Sequence, residues 1–311
     1  MKTQTQPPPL PEAASLRPEE RVFGAQVSGL LSLPWSTTAV GLRQFLGECA
    51  HARCRSMEMM EMAAMNGANQ PGALNISLED FFQLRPETSI DRDGVGHVWM
   101  HGMMLSKPEP ILEKLGLATS YETLTNDFEN LGEEAVAVML HSNSPGGSVV
   151  GLSEAAGAFA ALSAARGIPT AAHSEFATYS AAYYIASGAD SISAEPSAGT
   201  GNIGTILAYA DESGFWDAMG VKFEAIANDG ADLKSTFHTT SPMMTESQRS
   251  NLQEGVNQRA GEFQTHVLSH RSVDPEVFRA GWYSGQQAVD LGLGDGIMSA
   301  EAARQQLLER I

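Results

Sequence analysis

The six-residue apolar run Ala135-Val136-Ala137-Val138-Met139-Leu140 constrains the fold more than any other stretch. It is far short of the ~18–20 residues that span a bilayer, and it has the length and composition of a buried core strand. A glycine-rich turn follows, then an alanine-rich helix over 153–166 and a second strand over 169–173. Upstream, 97–102 reads as a strand and 121–131 as a helix. Strands alternating with helices predict an α/β domain with a largely parallel sheet. No internal repeat of 20–50 residues interrupts this reading.

The rest of the chain bounds the function. Its 311 residues make one large domain or two modest ones. Acidic residues outnumber basic ones, 37 to 19, for a formal net charge of -18. That balance excludes the basic footprint of a nucleic-acid binder and disfavours anionic membrane surfaces. Five prolines within residues 1–20, and no apolar segment there, predict a disordered arm rather than a secretory signal. Residues 21–95 read as a helical extension and linker. Pro34-Trp35-Ser36-Thr37 looks like a helix start with Ser36 or Thr37 as N-cap. Leu42, Phe45, Leu46 and Cys49 recur at helical spacing, and five methionines over 57–65 suit a core or partner-facing stripe. Cys49 and Cys54 alone make no disulfide framework and read as reduced thiols.

Several chemistries are excluded by motif. G-x-S-x-G, H-E-x-x-H and the phosphate-binding G-x-x-x-x-G-K-[ST] are all missing. His97 and His101 share a helix spacing but fall in a strand, so no metal is expected. Gly199-Thr200-Gly201-Asn202-Ile203-Gly204 matches G-x-G-x-x-G, yet Pro196 interrupts its approach and β-prone residues follow it. It reads as a tight loop whose glycines bring backbone close to a site, not as a dinucleotide fingerprint.

Three pieces remain. Asn143-Ser144-Pro145-Gly146-Gly147-Ser148 ends the buried strand, where ligands bind in an open α/β sheet. Its glycines can turn backbone N–H groups toward a ligand oxygen, with a helix starting just after to add its dipole; an ordinary βα turn is the alternative. Ala177-Thr178-Tyr179-Ser180-Ala181-Ala182 places Ser180 where a strand and loop pass into a helix of small residues, a position most serines occupy as N-caps. Asp229-Gly230-Ala231-Asp232-Leu233-Lys234 carries an isolated lysine. A serine nucleophile needs a base, and His141, His173 or a neutral lysine could each supply one.

Taken in order, S-P-G-G, A-x-x-S-x-x-Y-Y-I-A, T-G-x-I-G and the isolated lysine resemble the signal peptide peptidase A (SppA) family of Ser-Lys proteases. The segment from Trp282 through Tyr283-Ser284-Gly285 to Asp295 is similar to that family's closing motif. Ser180-Ala181-Ala182-Tyr183 and the opening Leu33-Pro34-Trp35-Ser36 look most like the phage and prophage capsid-assembly branch.

The resemblance implies a ClpP/crotonase-like superhelix of ββα units over 96–311, with the N-terminal helical extension before it. It implies Ser180 as nucleophile and Lys234 as general base. Gly147 and Ala181 N–H groups would form the oxyanion hole. Gly146, Gly201 and Asn202 would shape the site, with the Asn202 amide oxygen standing in for a family serine that hydrogen-bonds the lysine. Lys222 is the alternative base. No metal or cofactor is implied. The implied partners are protein substrates such as scaffold, portal or other head proteins, together with further copies of the chain; neither nucleic acid nor membrane is expected. The implied location is the host cytoplasm and the procapsid. A bacterial SppA-type housekeeping peptidase, an inactive structural head protein of the same fold and a crotonase-like acyl-CoA enzyme stay open.

Overall fold

The computed structural model describes residues 35–37, 85–114, 116–208, 213–222, 226–234 and 244–311. Its contacts divide the chain into two units, one made of 34–207 with 245–311 and the other of 1–33 with 208–244. The proline-rich arm, the methionine stripe and both cysteines lie outside the described residues.

The first unit holds twelve strands among the described residues. They are β1 (Trp35–Thr37), β2 (Ser89–Ile90), β3 (Val95–His101), β4 (Met103–Leu105), β5 (Ala118–Ser120), β6 (Ala137–Ser144), β7 (Gly146–Ser148), β8 (Thr170–Tyr179), β9 (Ser191–Ala194), β10 (Gly199–Gly201), β11 (Trp282–Ser284) and β12 (Gly296–Ile297). The helices among the described residues are α1 (Pro110–Lys114), α2 (Tyr121–Asn130), α3 (Leu152–Arg166), α4 (Ala181–Ala186), α5 (Ser213–Ala218), α6 (Glu246–His270), α7 (Gly285–Asp290) and α8 (Ala300–Leu308).

The larger sheet runs β11-β10-β8-β6-β3-β2, with β9 pairing β8 and β12 pairing β9. Its central pairs β3–β6, β6–β8, β8–β9 and β8–β10 are parallel; only β2–β3 and β10–β11 are antiparallel. The expected largely parallel α/β sheet is therefore what forms. A smaller sheet has the order β1-β7-β4-β5. It corrects two local expectations. Trp35–Thr37 is no helix start but a strand antiparallel to β7, with Ser36 opposite Gly147. The glycine turn after β6 likewise does not lead straight into a helix, because β7 intervenes before α3 begins at Leu152.

Local chemistry explains the helix ends. Ser120 caps α2 by accepting from the Thr123 N–H at 3.0 Å. Thr245 and Gln248 form a reciprocal capping box at the start of α6. The main core lies on one face of the larger sheet, where Val98, Val138, Leu140 and Ala172 meet α2, α3 and α4. There the rings of Phe128 and Phe159 stack at 5.1 Å. On the opposite face α8 packs Ala303 and Leu307 against Val95, Ala137, Met139 and Ala171.

One irregularity shapes the region around the site. Ser142 of β6 pairs with Ser174 of β8, but the next residue, Asn143, pairs with Ala177. Two residues of β8, Glu175 and Phe176, are thus looped out as a bulge, and Phe176 is exposed.

Candidate active site

β8 ends at Tyr179, α4 begins at Ala181, and Ser180 alone makes the turn. Its backbone sits at φ 54°, ψ −121°. L residues rarely adopt that region, and holding one there costs about 1–3 kcal/mol unless the surroundings enforce it. Here they do. The Ser180 N–H donates to the Gly201 carbonyl at 2.8 Å, and its own carbonyl accepts from the Tyr184 N–H at 2.9 Å. The side chain makes no capping hydrogen bond to the helix, so the N-cap alternative fails. A strained serine on a sharp strand-to-helix turn has the geometry of a nucleophile elbow. It forms without the flanking glycines of G-x-S-x-G, because Ala181 and Ala182 are small enough to be fully buried beside it.

The glycines of the site are steric requirements. Gly146 has φ 94° and donates its N–H to Ser144 Oγ at 3.1 Å. Gly147 lies between β1 and β4, and a Cβ there would come within 1.9 Å of the Met104 carbonyl oxygen. β7 packs against α4, so these glycines and Ala181 adjoin the same turn. Ala181 is the first residue of α4, and its N–H therefore has no acceptor within the helix.

Gly201 and Asn202 sit on the other flank. Gly201 has φ 110° and Asn202 φ 53°. Asn202 donates its backbone N–H to Gly281 at 2.7 Å and its side-chain Nδ2 to the Ala280 carbonyl at 3.0 Å. Its amide nitrogen thus pins the loop that presents Gly201 to Ser180. The G-x-G-x-x-G match resolves as β10 and this pinned loop, paired parallel to β8 and antiparallel to β11.

Sequence reasoning missed two supports. Ser144, Thr178, Thr200 and Tyr283 align across β6, β8, β10 and β11, a row of buried hydroxyl residues whose β8 member stands just before Tyr179 and the elbow. Behind α4, His266 of α6 stacks on Tyr184 at 3.7 Å and donates Nε2–H to the Tyr184 carbonyl at 2.9 Å. Burial, reinforced by His270, pushes the His266 imidazole down to about 4. Strand register and helix-to-helix packing were the needed signals, and neither is local in sequence.

The candidate bases separate. His141 and His173 pair across β6 and β8. Side chains alternate along a strand, so both face away from Leu140, Ala172 and α4, and neither joins Ser180. Lys222 and Lys234 belong to the second unit. Lys222 is exposed and ion-paired to Asp217 at 2.7 Å, just after α5. Lys234 is exposed and closes a turn by donating its N–H to Ala231 at 3.0 Å. A cavity of about 550 Å³, lined by Val136, Arg166, Pro169 and Ile311 among others, lies at the amino ends of β6 and β8, opposite the elbow. No group of three or more histidine, cysteine or acidic side chains suited to a metal ion occurs among the described residues, and no helix among them is long and apolar enough to cross a membrane.

Residues 163–310 match the model of peptidase family S49. That segment, just under half of the chain, is an SppA-type serine-peptidase domain, and it contains Ser180, Ala181, Gly201, Asn202 and Lys234 but starts after Gly146 and Gly147. No curated protein sequence gives a significant match. Solved structures similar to the chain include a mutant of the 1510-N membrane-bound stomatin-specific protease in complex with a substrate peptide (12% identity, 71% of this chain and 80% of that one, TM-score 0.40). They also include a ClpP1 mutant from Listeria monocytogenes (12%, 67% and 93%, 0.39) and an enoyl-CoA hydratase/isomerase family protein from Silicibacter pomeroyi (12%, 72% and 80%, 0.39).

Proposed function

We propose that the chain is a serine endopeptidase in which Ser180 is the nucleophile and Lys234 the general base, acting on phage head proteins such as scaffold or portal during capsid assembly. One observation carries the reading: a strained, buried serine at a strand-to-helix turn, inside the segment that matches family S49. Ser180 Oγ attacks the scissile carbonyl and forms the new C–O bond, while neutral Lys234 takes the hydroxyl proton. The oxyanion is held by the N–H groups of Gly147 and Ala181, donors each worth about 3–4 kcal/mol in such sites. The C–N bond breaks as Lys234 returns the proton to the leaving amine, and water then hydrolyses the acyl-enzyme.

The phage assignment rests on the sequence resemblance of the Ser180-Ala181-Ala182-Tyr183 and Leu33-Pro34-Trp35-Ser36 stretches. With it go the host cytoplasm and procapsid as location and a homo-oligomer as the working form. A fluorophosphonate probe tests the chemistry: wild type is labelled, Ser180→Ala is not, and Lys234→Arg is not, because arginine keeps its charge at any usable pH. Labelling of Lys234→Arg at the wild-type rate would remove lysine as base. Mass spectrometry of a candidate scaffold incubated with wild type and with Ser180→Ala tests the substrate. Cleavage of unrelated unfolded proteins but not of scaffold would favour a housekeeping peptidase.

A further inference from the structure

The face of the larger sheet turned away from α4 carries a chain of titratable groups that the proposed chemistry does not use. Asp91 Oδ2 lies 3.2 Å from His97 Nε2. His97 Nδ1 lies 2.9 Å from His141 Nε2, and His141 Nδ1 lies 3.3 Å from Glu175 Oε1. Both rings are largely buried, with side-chain exposures of 16% and 6%.

The hydrogens along this chain can be counted. Asp91 also accepts from Arg304 Nε at 2.6 Å and from the backbone N–H groups of Asp93 and Val95. Burial opposes its ionisation, yet these bonds hold its carboxyl well below the usual carboxylate range. The His141 hydrogen bond, against burial, likewise holds Glu175 below that range. Both ends of the chain are therefore acceptors only. Three links between two acceptor ends need three hydrogens, and two neutral imidazoles carry two. With neutral rings one link must face acceptor to acceptor.

We infer that His97 and His141 share one proton beyond those of two neutral imidazoles, clamped between the carboxylates of Asp91 and Glu175 and lodged behind the bulge that leads to Ser180. The proton belongs to the pair and not to one ring. Trp99 stacks flat on His141, at 3.9 Å and 13°, and an indole face attracts a cation. Burial pushes the His97 imidazole down against the pull of the Asp91 hydrogen bond; two cations 2.9 Å apart repel, so the pair refuses a second proton.

The surrounding groups do not compete for the charge. His101 and His173 flank Glu175, and burial pushes both down. His173 spends Nδ1 on Ser193 Oγ at 2.9 Å, and its Nε2 stands 3.7 Å from Glu195. Arg85 faces His101, and Arg304 is held by Asp91 and Asp93. Because Glu175 is one of the two residues looped out of β8, the shared proton ties the bulge to β6 five residues before Ser180. The device is a proton-dependent brace under the strand that carries the serine.

Glu175→Gln supplies the missing hydrogen without charge, since its amide donates to His141 Nδ1. Imidazole ¹⁵N NMR of the full chain at pH 7 is the test. In wild type, three of the four ring nitrogens of His97 and His141 are expected to be protonated; in Glu175→Gln, two. As the pH rises from 7 to 9, amide exchange at Phe176 and Ala177, corrected for its intrinsic pH dependence, should increase about tenfold in wild type, the scale of one lost charge-assisted hydrogen bond. It should stay flat in Glu175→Gln. Two protonated nitrogens in wild type, or the same count and the same exchange in both proteins, would overturn the inference. Should Glu175→Gln fail to fold, the wild-type count alone decides. None of these readouts involves Ser180 chemistry, so they stand apart from the peptidase reading.

Discussion

Gly147→Ala should cost more stability than its size suggests. A Cβ at this position would lie 1.9 Å from the Met104 carbonyl oxygen, 2.6 Å from its carbon and 2.7 Å from its Cα. Real Cβ contacts essentially stop at 3.0 Å, so the oxygen must retreat by at least 3.0 − 1.9 = 1.1 Å. Every atom in the way is backbone, and no rotamer change relieves the clash. The retreat pulls β4 off β7 at Met104–Gly147, where the two strands pair. Overpacking costs about 1–3 kcal/mol and a broken backbone hydrogen bond about 0.5–1.5 kcal/mol, which together give about 1.5–4.5 kcal/mol. An internal control comes from Gly157, in the middle of α3, where an added Cβ meets nothing within 4 Å. Gly157→Ala should stabilise by about 0.5–1 kcal/mol, the usual helical preference for alanine. Urea denaturation of wild type and both variants measures the contrast, and fluorophosphonate labelling shows whether Gly147→Ala also disables Ser180. A Gly147→Ala protein within about 0.5 kcal/mol of wild type would refute the steric argument.

Asn202 should tolerate glycine better than alanine: both lose the bond to Ala280, but only alanine strains at φ 53°, a cost of about 1–2 kcal/mol that differential scanning calorimetry would detect. His266 is predicted to shape the acid limb of stability. Its folded-state value of about 4 is depressed below the free histidine, so between roughly pH 6.5 and 4 the unfolded chain binds the extra proton and stability falls as pH falls. In His266→Gln the loss of melting temperature from pH 7 to 4.5 should be smaller than in wild type, and an equal loss would remove His266 from the account.

The sequence made the periodic elements readable. The runs at 97–102, 121–131 and 153–166 emerge as β3, α2 and α3 within a residue or two, because an apolar period is a local property. Ser180 was legible as a candidate, but its backbone was not. Positive φ at a serine is imposed by Gly201 and Tyr184, partners that no local motif announces. Trp35–Thr37 misled for the same reason, since a strand three residues long exists only through its partner over a hundred residues later. His141 and His173 stayed open as bases until the pleat turned them to the other face. Lys234 rests on motif order alone, a signal of sequence distance.

The bulge in β8 carries a consequence for how this chain can change length. Glu175 and Phe176 are two extra residues, and side chains alternate with a period of two, so Thr178 and Tyr179 keep the faces an unbulged strand would give them. Deleting one of the pair and closing the ladder would bring Ala177 opposite Ser144 in place of Thr178, turn the end of β8 over and send Ser180 off the wrong side of the sheet. Deleting both would restore a straight ladder with the elbow correctly aimed, at the loss of Glu175. Gains and losses of residues before this serine are therefore tolerable in twos, and related chains should differ here by even numbers.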